Sequence, residues 1–122
     1  MNAGKPLPYS INSALAAETV SRTRKDFESF GLFISFSGNT QDAYRELMEQ
    51  LIPFFERLLK NNRQKLMQVL YRIDISESKL SGMTKKFPRS GLPEIIAHLV
   101  IEREMQKVIT GKVYGGEKPG NG

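Results

Sequence analysis

YRELMEQLIPFFERLLKNNRQKLMQVLYRID, residues 44–74, reads as two amphipathic helices joined at Asn61-Asn62. In the first, Tyr44, Leu47, Met48, Leu51, Ile52, Phe54, Phe55, Leu58 and Leu59 fall within less than half of a helical wheel. In the second, Leu66, Val69, Leu70 and Ile73 repeat that spacing. Pro53 lies opposite the apolar face, where its missing N–H bends a helix without breaking it, so one bent helix is expected over about 40–60. Asn39 or Thr40 caps its start, and either Asn61 or Asn62 can close it or open the next. Both helices must bury a face, and the rest of the chain has to supply the partner.

Upstream, residues 1–12 contain Gly4, Pro6 and Pro8 and read as a flexible arm. Ser13 or Ser10 can cap a helix to about Ser29 with a narrow stripe of Ala16, Val20, Phe27 and Phe30. Gly31 stops it. Leu32, Ile34 and Phe36 then alternate with Phe33, Ser35 and Ser37, the only strand-like pattern in the chain. A lone strand has no backbone partner. It either covers the core as an extended strap, the preferred reading, or pairs with its own copy across a two-fold axis.

Downstream, Ser76 is an N-cap with Ile75 and Leu80 at staple spacing, giving a short helix over about 77–84 and a basic loop from Lys85 to Gly91. Pro93 opens a last helix over about 93–111. Its apolar residues are split between Leu92, Ile95, Ile96, Leu99 and Val100 on one face and Ile101, Met105, Val108 and Ile109 on roughly the other. Such a helix is central to a domain, or shared between a core and an interface. Gly111 is expected to end it, leaving 112–122 as a disordered tail. The expectation is an all-α bundle of four or five helices in one domain, 13–111, with a short extended segment near 32–36.

Composition narrows the chemistry. The chain of 122 residues has no cysteine, which excludes disulfides, zinc–thiolate sites and cysteine nucleophiles. No apolar run has membrane-spanning length and no signal-peptide pattern opens the chain, so a cytoplasmic protein with no membrane partner is expected. Of the formal charge of +5, residues 57–89 carry +7 and the remainder −2. That asymmetry points to an anionic partner.

Catalytic patterns are missing. No serine lies in Gly-x-Ser-x-Gly, and no glycine loop cradles a phosphate. The single histidine, His98, stands in Glu94-x3-His98-x3-Glu102, whereas carboxylate-bridged metal sites in bundles use Glu-x-x-His twice. His98 reads as a packed histidine partnered by Glu94 or Glu102. Glu102 and Glu104 point away from each other. No enzyme activity, metal or cofactor is expected.

Residues 73–81, Ile-Asp-Ile-Ser-Glu-Ser-Lys-Leu-Ser, resemble the turn and second helix of a helix-turn-helix domain, with Lys79, Lys85, Lys86 and Arg89 as candidate phosphate or other anion contacts. Asp74 stands where that turn usually has glycine, and Glu77 opens the helix with the wrong charge. Leu-Tyr-Arg-Ile-Asp at 70–74, followed by Ile-x-Arg-Glu-x-Gln-Lys-Val at 101–108, is similar to a small uncharacterised family of all-helical bacterial proteins. The resemblance carries no activity. It implies that Arg72, Asp74, Glu102, Arg103 and Gln106 form a polar network that fixes helix register or, less favoured, lines a small site. The leading functional expectation is a non-enzymatic interaction module that self-associates or joins a larger assembly. A nucleic-acid binder using the basic 57–89 region is the alternative.

Overall fold

The last helix is the centre of the molecule. The computed structural model describes residues 11–115, with side chains through 111. Its helices are α1 (Ala16–Glu28), α2 (Ala43–Asn61), α3 (Arg63–Ile73), α4 (Glu77–Lys86) and α5 (Leu92–Gly115), with no strand among the described residues. Ile95, Ile96, Ala97, His98, Leu99, Val100 and Ile101 are consecutive and all buried, which requires cover on every side of two helical turns. α2 and α1 supply most of it, α4 packs on the N-terminal half, and α3 adds a smaller contact. The split apolar pattern of α5 is therefore used within the chain.

The α2–α3 hairpin forms as the spacing dictates. Leu47, Leu51, Phe54, Phe55 and Leu58 are buried, and Pro53 lies exposed inside an unbroken helix. Asn62 caps α3 by accepting the Lys65 N–H at 3.0 Å. Phe27 of α1 sits edge-on to Phe54 and Phe55 at centroid separations of 5.7 and 6.1 Å, which ties the first helix to the hairpin. A second, smaller cluster unites Phe87, Ile95 and Leu99 with Ile75, Leu80 and Met83, so the staple residues at the start of α4 pack together on α5.

The 32–36 segment is an extended strap rather than a strand. Ile34 is buried, and its carbonyl accepts from Arg24 Nε at 2.9 Å. The Gln50 side chain accepts the Ser35 N–H at 2.8 Å and donates to the Ser35 carbonyl at 2.9 Å. Glu46 accepts the Ser37 N–H at 2.8 Å and the Ser37 hydroxyl at 2.6 Å, contacts that hold its carboxyl below the usual range. Polar side chains of α1 and α2 thus take the place of a neighbouring strand. Gly31, with φ of 85°, makes the turn from α1 into the strap.

Four boundaries differ from the expectation. Asn12, not a serine, caps the first element, a single 3-10 turn over Ser13–Leu15, and Ile11 packs on the core, so both belong to the fold rather than to an arm. A similar turn, Thr40–Asp42, capped by Asn39, precedes α2. α4 extends to Lys86, which places two residues of the basic loop in its last turn. α5 passes through Gly111 to Gly115, removing 112–115 from the expected tail. A helical glycine costs about 1 kcal/mol relative to alanine and does not by itself stop a helix. The expectations for residues 1–10 and 116–122 lie outside the described residues.

Candidate binding cleft and docking face

α3 ends on Asp74, whose φ of 72° and ψ of 57° turn the chain through the left-handed region. Its N–H bonds to the Leu70 carbonyl at 2.9 Å, and the N–H of Ile75 takes the same acceptor at 2.9 Å. The chain is thereby aimed into Ser76, which caps α4 by accepting the Lys79 N–H at 3.1 Å. Between this turn and the side of α5 lies a cleft of about 660 Å³. Its polar wall holds Asp74, Ser76, Lys79, Glu102, Arg103 and Gln106. Its apolar wall is Ile75, Leu99 and Met105.

Four of the five residues expected to form a polar network meet here. Arg103 donates to Asp74 Oδ2 at 3.0 Å, joining the α3–α4 turn to α5, and Glu102 and Gln106 line the same cleft. Arg72 is not among them. Its guanidinium lies 5.9 Å from the Phe30 ring centroid, a cation–π contact that directs it toward the end of α1.

Glu102 has a buried foundation that the spacing only half revealed. His98 Nε2 is 3.3 Å from Glu102 Oε2, and its Nδ1 is 2.9 Å from the Tyr44 hydroxyl. The Nε2 contact is electrostatic rather than a well-aligned hydrogen bond. A phenol that donates to Nδ1 leaves the ring hydrogen on Nε2, the nitrogen that faces the carboxylate. His98, first, and Lys79, more weakly, hold the Glu102 carboxyl below its ordinary range, against partial burial that raises it. The chain Tyr44–His98–Glu102 therefore keeps an ionised carboxylate at the cleft wall. Tyr44 was readable only as part of an apolar stripe, because its hydroxyl partner lies on α5.

The candidate anion contacts are spread along α4 and the loop after it. Lys79 belongs to the cleft, facing Glu102, while Lys86 Nζ lies 5.7 Å from the Phe87 ring centroid. Lys85 projects from another side of α4, and Arg89 lies exposed beyond the helix. Leu80 and Met83 commit the apolar side of α4 to α5.

Two further features were not visible in the sequence as sites. The outward side of α3 exposes Met67 at 50% and Tyr71 at 89%, one turn apart. This helix stands in a stretch, 57–73, that holds Arg57, Lys60, Arg63, Lys65 and Arg72 and no acid. The other feature is Glu104, wholly buried where α5 meets α1, with neither carboxyl oxygen hydrogen-bonded to a donor. Burial, then the hydrogen-bonding and like-charged Asp26, push its carboxyl up to about 8, against the opposing pull of Lys107 and Arg22. Lys107 Nζ lies 3.8 Å from Asp26 and 3.9 Å from Glu104, and Arg22 Nε lies 3.9 Å from Glu104. A stripe of Ala97, Ile101, Glu104 and Val108 marks Glu104 as inward-facing; its partner on α1 is not deducible from that spacing.

Among the described residues no group of three His, Asp or Glu side chains could hold a metal ion, and no helix is long and apolar enough to cross a membrane. Comparison with protein-family models, with curated proteins and with solved structures finds no match to this chain.

Proposed function

We propose that the protein is a non-enzymatic interaction module that docks an acidic protein partner on the outer face of α3, as one subunit of a larger assembly. The carrying observation is the Met67–Tyr71 pair, apolar and solvent-facing, in a stretch with five cations and no anion. Tyr, Met and Arg are the residue types enriched at interface centres, where a large side chain with few torsions loses little entropy on docking. Arg63 stands one helical turn before Met67 on this side of α3, while Lys65 and Arg72 flank the face from further round the helix, over the Phe54 and Phe30 rings. A second copy meeting this face would oppose like charges, which favours a different protein as partner. The features that suggested self-association, the two-faced last helix and the lone extended segment, find most of their partners inside the chain.

The test is affinity capture with the wild-type chain and with a Met67→Ser/Tyr71→Ser variant, followed by titration of the purified partner. The expected result is an acidic protein whose binding weakens with salt and falls at least about tenfold in the variant. A dimer in light scattering that the variant abolishes would make the occupant a second copy. Salt-sensitive binding of mixed-sequence DNA or RNA that survives the variant would replace the docking reading with the nucleic-acid one.

A further inference from the structure

We propose that the cleft between the α3–α4 turn and α5 binds a small zwitterion, a molecule carrying an ammonium group, an anionic group and a short apolar portion. The wall is charge-balanced: Glu102 and Asp74 against Lys79 and Arg103. A ligand of single charge would engage wall groups of one sign and leave those of the other sign unused. A dipolar ligand engages both signs at once.

The two signs are not equally mobile. Glu102 is fixed from behind by His98, itself buried and held by Tyr44, so the ammonium site is preorganised. Lys79 is an exposed, flexible cation, and Arg103 is held by Asp74, an aspartate 78% exposed in its side chain. Such a pair contributes about 0–1 kcal/mol and opens readily. Both cations can therefore turn to an incoming carboxylate, beside the Ser76 hydroxyl at the first turn of α4. Ile75, Leu99 and Met105 supply an apolar surface for the remainder of the ligand. The volume, about 660 Å³, suits a molecule of amino-acid to dipeptide size with room for water.

The experiment is an amide-resolved NMR titration of the full chain with L-leucine, N-acetyl-L-leucine and L-leucine methyl ester. The derivatives remove the ammonium charge and the carboxylate charge respectively. Leucine at roughly 10 mM is expected to shift the amides of Ser76, Lys79, Glu102 and Arg103, with either derivative binding at least about tenfold more weakly. Glu102→Gln and Lys79→Gln, both at partly or fully exposed side chains, should each weaken leucine about tenfold with the remaining spectrum unchanged. Absence of shifts with leucine would overturn the proposal. So would equal binding of either derivative, or unchanged binding in Glu102→Gln.

Discussion

Gln50 holds Ser35 through both of its backbone groups, accepting the N–H at 2.8 Å and donating to the carbonyl at 2.9 Å. A side-chain amide has the donor and acceptor spacing of a peptide group, so one glutamine on a helix can do for one residue what a neighbouring strand would do. Gln50→Ala should destabilise the fold by about 1–2 kcal/mol in urea unfolding. It should also accelerate hydrogen exchange at Ser35 while leaving the α5 core protected. Unchanged exchange at Ser35 would show that Ile34 burial and the Arg24 and Glu46 contacts hold the strap without Gln50.

The Glu104–Asp26 contact predicts a pH dependence with a definite sign. The unfolded chain releases the Glu104 proton in the ordinary carboxylate range, whereas the folded chain keeps it until about pH 8. Between those limits folding takes up a proton, so stability falls as pH rises, by at most about 1.4 kcal/mol per pH unit. Arg22 and Lys107 favour the charged form and so hold down the upper limit of this window rather than its slope. Glu104→Gln keeps a donor for Asp26 and cannot ionise. It should flatten the profile and exceed the wild type in stability near pH 8. Parallel profiles for the two proteins would mean that Glu104 is ionised in the fold.

Asp74 separates backbone conformation from charge. A side chain in the left-handed region is strained, so Asp74→Ala, which keeps the strain and loses the Arg103 pair, should cost about 1 kcal/mol. Asp74→Gly relieves the strain but loosens the unfolded chain and loses the same exposed pair; its stability should lie within about 0.5 kcal/mol of wild type. Thermal unfolding that ranks alanine at or above glycine would contradict this account.

Tyr44→Phe tests the buried chain behind the cleft. It leaves His98 Nδ1 without its 2.9 Å partner, which should cost about 1 kcal/mol or more. The imidazole nitrogen shifts should also move toward a mixture of tautomers, because the phenol no longer fixes which nitrogen carries the proton. An unchanged nitrogen spectrum would show that Glu102 alone sets the tautomer.

Helix identity was legible wherever periodicity and capping agreed. The hairpin of α2 and α3, the Asn62 and Ser76 caps and the Gly31 turn all follow from local rules that act within a few residues. The central place of α5 was half legible: its two apolar faces signalled cover on both sides but not which elements supply it. What escaped was long-range polar pairing. Gln50, Tyr44 and Asp26 are ordinary residues on their own helices, and each acquires its role from a group 15, 54 or 78 positions away, which no spacing rule encodes. Arg72 shows the converse error, since a charged residue adjacent to a network in sequence found an aromatic ring instead.

The order of elements bears on how the domain is born. α1, α2, α3 and α4 all precede, in the chain, the helix on which they pack. During synthesis the hairpin of α2 and α3 can close locally and take Phe27 of α1 against Phe54 and Phe55, but the part of its apolar face that α5 covers stays open to water until α5 has emerged. The core of this domain is therefore complete only when α5 as far as Val108 has been added, and every earlier length of the chain carries apolar side chains whose cover has yet to be made.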